Sequence, residues 1–274
     1  MRTRLVLTRQ RGKQIGFVPT MGALHAGHGA LLDAARRDCD VVIASVFVNP
    51  TQFNNKEDYD RYGRNLDADV AFSAKHGVNI VFAPGVEEMY PSGADVFVEV
   101  PGVSEGLCGA FRPGHFRGVA TVVTKLFHIV ESDVAYFGEK DAQQLAVIRR
   151  LVASLNMAIT IVGVPTVRDP DGLALSSRNE RLTHEDRQRA PLLYHALKAA
   201  RREIENGVTD AGRIRARGLE VLAQEPAIRV EYFEVVDAES MQPVTSVAGR
   251  VCIAAAIWLG GVRLIDNVSS SWQR

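Results

Sequence analysis

The chain has 274 residues, with 32 Lys+Arg balanced by 32 Asp+Glu and 46% hydrophobic residues. That length suits one large domain or two of ordinary size. A formal net charge of zero removes the long-range field with which a nucleic-acid binder gathers phosphate backbone, so a small partner is expected and no nucleic acid.

Apolar runs such as Val41 to Val48 and Val251 to Val262 fall short of the ~20 residues that span a bilayer, and no membrane crossing is expected. The basic start, Met-Arg-Thr-Arg-Leu-Val-Leu-Thr-Arg-Gln-Arg, lacks a long apolar centre and makes a poor signal peptide. Cys39, Cys108 and Cys252 are odd in number and scattered, without paired spacing for zinc or a redox motif. A cytoplasmic protein is the economical reading.

In chain order, strand patterns fall at Ile15 to Pro19, Val41 to Val48, Asn79 to Phe82, Val134 to Phe137 and Ile159 to Val164. Between them, Gly27 to Arg37, Arg64 to His76, Phe116 to Glu131 and Asp141 to Leu155 repeat apolar residues with helical spacing. Continuous apolar strands alternating with amphipathic helices predict an α/β fold, a Rossmann-like doubly wound parallel sheet. Val96 to Val100 alternates briefly before Pro101-Gly102 and reads as an edge-strand excursion.

After Val167 the style changes. A polar, turn-rich stretch (Arg168 to Asn179) leads to helices near His184 to Asn206 and Asp210 to Gln224, then to strands at Val230 to Asp237, Val251 to Trp258 and Val262 to Asp266. This predicts a smaller C-terminal α+β domain, residues 168–274, after a nucleotide-binding domain of residues 1–167.

The strongest local signal is Pro19-Thr20-Met21-Gly22-Ala23-Leu24-His25-Ala26-Gly27-His28, where the first strand gives way to the first helix. Open parallel sheets bind ligands at the carboxyl ends of their strands, and a helix start presents free N–H groups to anions. Two imidazoles three residues apart can each donate to a phosphoryl oxygen, and either can carry positive charge toward a phosphorus transition state. The same pair also reads as a metal pair or as plain helix caps. No Glu follows His25 in the zincin manner and no third ligand lies nearby, which disfavours zinc hydrolysis.

Phe137-Gly138-Glu139-Lys140-Asp141-Ala142-Gln143-Gln144 also leaves a strand to open a helix, and Lys140 offers a flexible charge for phosphate. A solvated surface cap is the plainer account of it. Leu175-Ser176-Ser177-Arg178 lies in a loop announced by Asp169-Pro170-Asp171-Gly172, and its hydroxyls and guanidinium can clamp phosphates. Asn49 and Gln52, at the exit of the second strand, are neutral hydrogen-bonding groups suited to orienting hydroxyls or a carboxylate, or simply to ending a strand.

In this order the segments Pro19 to His28, Phe47 to Phe53, Arg112 to Phe127, Phe137 to Leu145, Val162 to Asn179 and Leu264 to Asn267 resemble the pantothenate synthetase family of pantoate–β-alanine ligases. That family sits within the nucleotidyltransferase superfamily marked by His-x-Gly-His. The resemblance implies AMP-forming ligation: (R)-pantoate attacks the α-phosphorus of ATP, pyrophosphate leaves, and β-alanine displaces AMP from the pantoyl adenylate. It implies ATP contacts from Met21 to His28, from Gly138 to Asp141, from Val167 and from Leu175 to Arg178. His28 matches the proton donor, with His25, Lys140 and Arg178 as further catalytic residues. Gln52 and Gln144 match the pantoate-binding pair with Met21 as an apolar wall, and Gln52 also matches a β-alanine contact. Mg2+ is implied with ATP, as is a homodimer whose smaller domain covers the site.

No protein ligand for the metal is named; Asp69 falls where relatives can carry a metal-associated acid, but it reads here as part of a solvated helix face. The sequence departs from the family pattern at Ala26, at Gly29, which should weaken the first helical turn, and at Tyr62-Gly63-Arg64-Asn65, which should loosen a helix entry. Another His-x-Gly-His nucleotidyltransferase, acting on a phosphate acceptor, would need cations where Gln52 and Gln144 stand. A non-catalytic nucleotide binder would have no use for His28, Lys140 and Arg178 together.

Overall fold

A computed structural model describes residues 1–93 and 95–272. The chain forms two compact units: Met1–Val100, Arg112–Glu139 and Val147–Pro165 make the first, and Pro101–Phe111, Lys140–Ala146 and Thr166–Arg274 the second.

The first unit is built on strands β1 (Ile15–Thr20), β2 (Val41–Val46), β3 (Ile80–Phe82), β4 (Val134–Gly138) and β5 (Thr160–Val164). They pair in parallel in the order β3-β2-β1-β4-β5. Successive residues of β1 serve opposite faces. Val18 joins Val42, Ala44 and Tyr136 against Leu31, Leu32 and Ala35 of helix α2 (Ala26–Asp38). Phe17 turns the other way, into an edge-on aromatic row with Phe127 and Phe137. Each such side chain contributes about 1.5–3 kcal/mol on burial. Strand order reverses between β1 and β4, the position at which this class of sheet opens a ligand crevice beyond its strand ends.

Helix α1 (Arg2–Gln10) occupies the basic amino terminus and buries Leu5. Shorter helices α3 (Lys56–Asp60), α4 (Leu66–Lys75), α5 (Val86–Met89) and α6 (Cys108–Phe111) precede α7 (His115–Val130). Arg2 and Arg9 of α1 donate to the carbonyls of His128 and Val130 at the end of α7, so two cations meet the negative pole of that helix.

The expected edge strand at Val96 to Val100 does not form. Residues 95–100 belong to no strand, Val98 donates its N–H to the Thr121 hydroxyl instead of a ladder, and the Val96 side chain is 81% exposed.

Helix α8 (Ala142–Ser154) is followed in the second unit by α9 (His184–Arg189), α10 (Leu192–Glu205) and α11 (Ala211–Leu222), and by antiparallel strands β6 (Arg229–Asp237), β7 (Arg250–Leu259) and β8 (Val262–Ser271). Leu193, Ala196, Leu197, Ala200 and Ile204 form one stripe of α10 and share a core with Ile214, Phe233, Ile253 and Ile257. Pro191 separates α9 from α10. Strand β8 continues five residues past the expected Asp266, because Asn267–Ser271 pair with Ala254–Arg250, and Val268 joins the buried core.

Candidate active site

At the carboxyl end of β1 the chain turns through Gly22 at φ 82° and Ala23 at φ 51°. Gly22 is required twice over: its φ is left-handed, and a Cβ there would lie 2.7 Å from Oδ2 of Asp69. Ala23 has no such freedom and costs about 1 kcal/mol in this region. Asp69 offsets that strain. Its carboxylate accepts the N–H of Ala23 at 3.1 Å and of Leu24 at 2.8 Å, and the residue is only 3% exposed. The expectation that Asp69 belongs to a solvated helix face is therefore corrected: Asp69 is buried, with its carboxylate bound to N–H groups of the β1 exit.

His25 and His28 take the helix-cap arrangement that the sequence offered as one of their readings. Nδ1 of His25, the residue before α2, accepts from Gly27 N–H at 3.1 Å, and Nδ1 of His28 accepts from His25 N–H at 3.2 Å. The rings sit 4.2 Å apart. An accepting Nδ1 places each neutral ring's proton on Nε2. Both are helix caps, and both hold a tautomer suited to donating from Nε2.

Gly29 stands where a neighbouring ring leaves no room for a side chain. A Cβ at this position would come within 2.7 Å of the His76 ring, which is held by Asp33 at 2.6 Å. The other doubtful entry, at Tyr62 to Asn65, is also held. Arg64 lies over the Tyr59 ring and donates to its carbonyl, while the Asn65 side chain caps α4 at Ala68 N–H.

Beyond β2, Asn49 is buried and nearly saturated. Its amide N–H groups donate to Gln52 Oε1 at 3.0 Å and to the Gly118 carbonyl at 3.1 Å, and its oxygen accepts from Tyr90 OH at 2.9 Å. With Oε1 engaged, the Gln52 amide turns its NH2 toward Met21 Sδ, 3.0 Å away. Arg112 and His115 both meet the Gln52 carbonyl. Gly118 permits this approach of α7, since a Cβ there would lie 2.5 Å from the Thr51 carbonyl oxygen. Met21 and Gln52, distant in sequence, are thus in contact.

In the second unit, Lys140 and Arg178 are half-buried, and neither side chain forms an ion pair or hydrogen bond among the described residues. The Lys140 carbonyl accepts from Asn267 Nδ2 at 2.8 Å. The carbonyl of Val167 accepts from Leu175 N–H at 3.0 Å, and Ser176 caps the turn at Arg178 N–H. Arg168, not singled out from sequence, donates to both carboxylate oxygens of Asp266 at 2.6 and 2.9 Å and stacks over Tyr194. Burial pushes the Asp266 carboxyl up, while Arg168, the Asn267 N–H and the Lys140 charge pull it down.

The adjacent glutamines divide sharply. Gln143 is buried and holds Cys108 N–H and the carbonyls of Val103 and Gly106, whereas the half-buried Gln144 makes no such bonds among the described residues. No group of three or more His, Cys, Asp or Glu that could hold a metal occurs among the described residues. No described helix is long and apolar enough to cross a membrane.

A parallel sheet of this strand order, with a His-x-Gly-His helix start at its reversal point, defines a Rossmann-like α/β enzyme. The family model for pantoate-beta-alanine ligase matches residues 1–269. Pantothenate synthetase of Moorella thermoacetica is 52% identical over 268 residues, covering 98% of this chain and 95% of that protein. The crystal structure of pantothenate synthetase from Thermus thermophilus matches with a TM-score of 0.90 at 49% identity, covering 93% of this chain and 92% of that one. Pantoate-beta-alanine ligase from Francisella tularensis, solved with beta-gamma ATP and beta-alanine, matches with a TM-score of 0.77 at 37% identity, covering 94% and 90%. The chain belongs to the pantoate–β-alanine ligase family.

Proposed function

We propose that the chain condenses (R)-pantoate with β-alanine through a pantoyl adenylate, consuming ATP and releasing AMP and pyrophosphate. The observation that carries this acceptor choice is the neutral constellation of Asn49, Gln52 and Met21. An amide donor can hold a hydroxyl of pantoate beside an apolar contact for its methyl groups, leaving the carboxylate ionised and nucleophilic. A cation there would pair with the carboxylate and blunt it. The ligase family model, matching residues 1–269, supports this acceptor over the phosphate of the alternative nucleotidyltransferase.

In the first step the carboxylate oxygen bonds to the α-phosphorus and the bond to the β-phosphate bridging oxygen breaks. His25 and His28 donate from Nε2 to the transferring phosphate, with His28 as the proton donor, and Lys140 and Arg178 offset charge on the polyphosphate. Backbone from Gly22 to Gly27 and from Gly138 to Asp141, with Val167, Leu175, Ser176 and Ser177, completes the ATP contacts. In the second step the β-alanine amine attacks the acyl carbon and AMP departs. Gln144 joins Gln52 on pantoate, and Gln52 also meets β-alanine.

Magnesium enters as part of the Mg·ATP substrate. Asp69, buried beside the loop, has both carboxylate oxygens on backbone N–H groups, so it serves the loop and is not proposed as a ligand to the metal. The enzyme works as a cytoplasmic homodimer, as the family resemblance implies. The buried, unpaired cysteines agree with a reducing compartment.

The test is ATP–pyrophosphate exchange with purified protein. Exchange should require pantoate, and AMP should accumulate only when β-alanine is added. Exchange driven by a phosphorylated acceptor and not by pantoate would overturn the assignment.

A further inference from the structure

Asp266 and Asn267 lie on β8, more than a hundred residues from Lys140 in sequence, yet they join the two phosphate-handling segments of the second unit. Asn267 Nδ2 donates to the Lys140 carbonyl at 2.8 Å. Its own N–H donates to Asp266 Oδ1 at 2.8 Å, and its carbonyl accepts from Arg168 Nη2 at 3.3 Å. Arg168, paired through two bonds with Asp266, also donates to the Gly172 carbonyl at 3.1 Å and bridges Ala174. Asn179 then binds the Ala174 carbonyl at 3.0 Å. The path runs without a gap from Lys140 to the loop that carries Ser176, Ser177 and Arg178.

We propose that Asp266 and Asn267 are positioning residues of the ligase, holding the backbone of Lys140 and the loop from Val167 to Arg178 in one fixed arrangement for ATP. The proposal rests on the reading of Lys140 and Arg178 as ATP ligands given above. A buried Arg–carboxylate pair adds little stability over apolar side chains of the same volume, but its two parallel bonds fix geometry. The Asp266 side chain is 3% exposed and that of Arg168 16%, so this geometry is set inside the protein and water does not compete for it. Lys140 is otherwise a point charge on a flexible stem. Anchoring its carbonyl reduces the freedom that ATP binding would have to freeze.

The experiment is a double-mutant cycle on the KM for ATP in pyrophosphate exchange, with Asn267→Ala, Lys140→Ala and the pair. Asn267→Ala should raise that KM about tenfold, the loss expected of one well-placed hydrogen bond, while the KM for pantoate stays within about twofold. In the Lys140→Ala background it should add less than about twofold, because the two act through one group. Asp266→Asn, checked for folding by circular dichroism, should move the same parameter. Asn267→Ser, too short to reach Lys140, replaces the alanine variant if that one folds poorly. Additive losses in the cycle, or equal rises in both KM values, would make the pair merely structural and overturn the proposal. A normal KM in Asn267→Ala beside a crippled Lys140→Ala overturns the positioning role alone. Normal exchange in Lys140→Ala removes the ATP reading and this inference with it.

Discussion

Asn49 donates an amide hydrogen to Oε1 of Gln52 at 3.0 Å, and this one bond orients the Gln52 amide with its NH2 toward Met21. Asn49→Ala would free the Gln52 amide to flip, and would remove one hydrogen bond each from Tyr90 OH and the Gly118 carbonyl. The expected result is a KM for pantoate raised about tenfold, with the KM for ATP little changed and stability lowered by about 1–3 kcal/mol. Steady-state kinetics with each substrate varied in turn, beside a thermal melt, reads both. An ATP effect as large as the pantoate effect would detach Asn49 from Gln52.

Asp69 and Ala23 make a second coupled pair, since the carboxylate holds a backbone turn that alanine disfavours. Asp69→Asn swaps one charged acceptor for an NH2 that opposes a backbone N–H. We expect adenylation to slow by roughly ten- to a hundredfold, and Ala23→Gly in the same background to recover stability but not rate. Pyrophosphate exchange at the parental rate in Asp69→Asn would show that the turn holds itself.

The neighbouring glutamines should separate cleanly. Gln143→Ala removes a buried group that serves three backbone partners, so it should cost about 2–4 kcal/mol of stability. Gln144→Ala should melt within about 0.5 kcal/mol of the parent and instead weaken pantoate capture. A reversed pattern in melts and pantoate titrations would exchange their roles.

Acid sensitivity should trace to Glu231, the extra residue at an irregularity of β6 that receives Trp258 N–H and Arg263. Burial alone would raise its carboxyl pKa, but Arg263 and Trp258 outweigh burial and hold it below the ordinary range. A carboxyl depressed in the folded state supplies stability above its unfolded value, about 4.3, and that stability is lost as pH falls through the folded value. The parent's melting temperature should drop below about pH 4. Glu231→Gln should melt lower at neutral pH and show a shallower acid decline. An equally steep decline in the variant would place the acid-sensitive group elsewhere.

Much of this architecture was legible from periodicity. The continuous runs at Ile15, Val41, Val134 and Thr160 are strands because parallel strands covered on both faces need no polar alternation. Where local pattern misled, a tertiary partner decided. Val96 to Val100 alternates like a strand but pairs with none, while the strand expected to end at Asp266 pairs on through Ser271. The histidines and Gln52 stood out by motif, yet their tautomer and amide orientation depend on Gly27 and Asn49, contacts that spacing does not disclose. Asp69 and Arg168 were harder still. Their significance lies in bonds to the β1 exit and to β8, which no local signal announces.

The space claimed by His76 over Gly29 makes these two positions a linked pair. Enlarging residue 29 alone would drive a methyl group into the imidazole and break its contact with Asp33. The two sites should therefore change together when this segment is recombined with a relative's: a chimera that imports a bulky side chain after the second histidine must also import the residue facing it from α4's end. Segment exchanges that cut between residues 29 and 76 would inherit a steric mismatch even where each half comes from a well-folded parent.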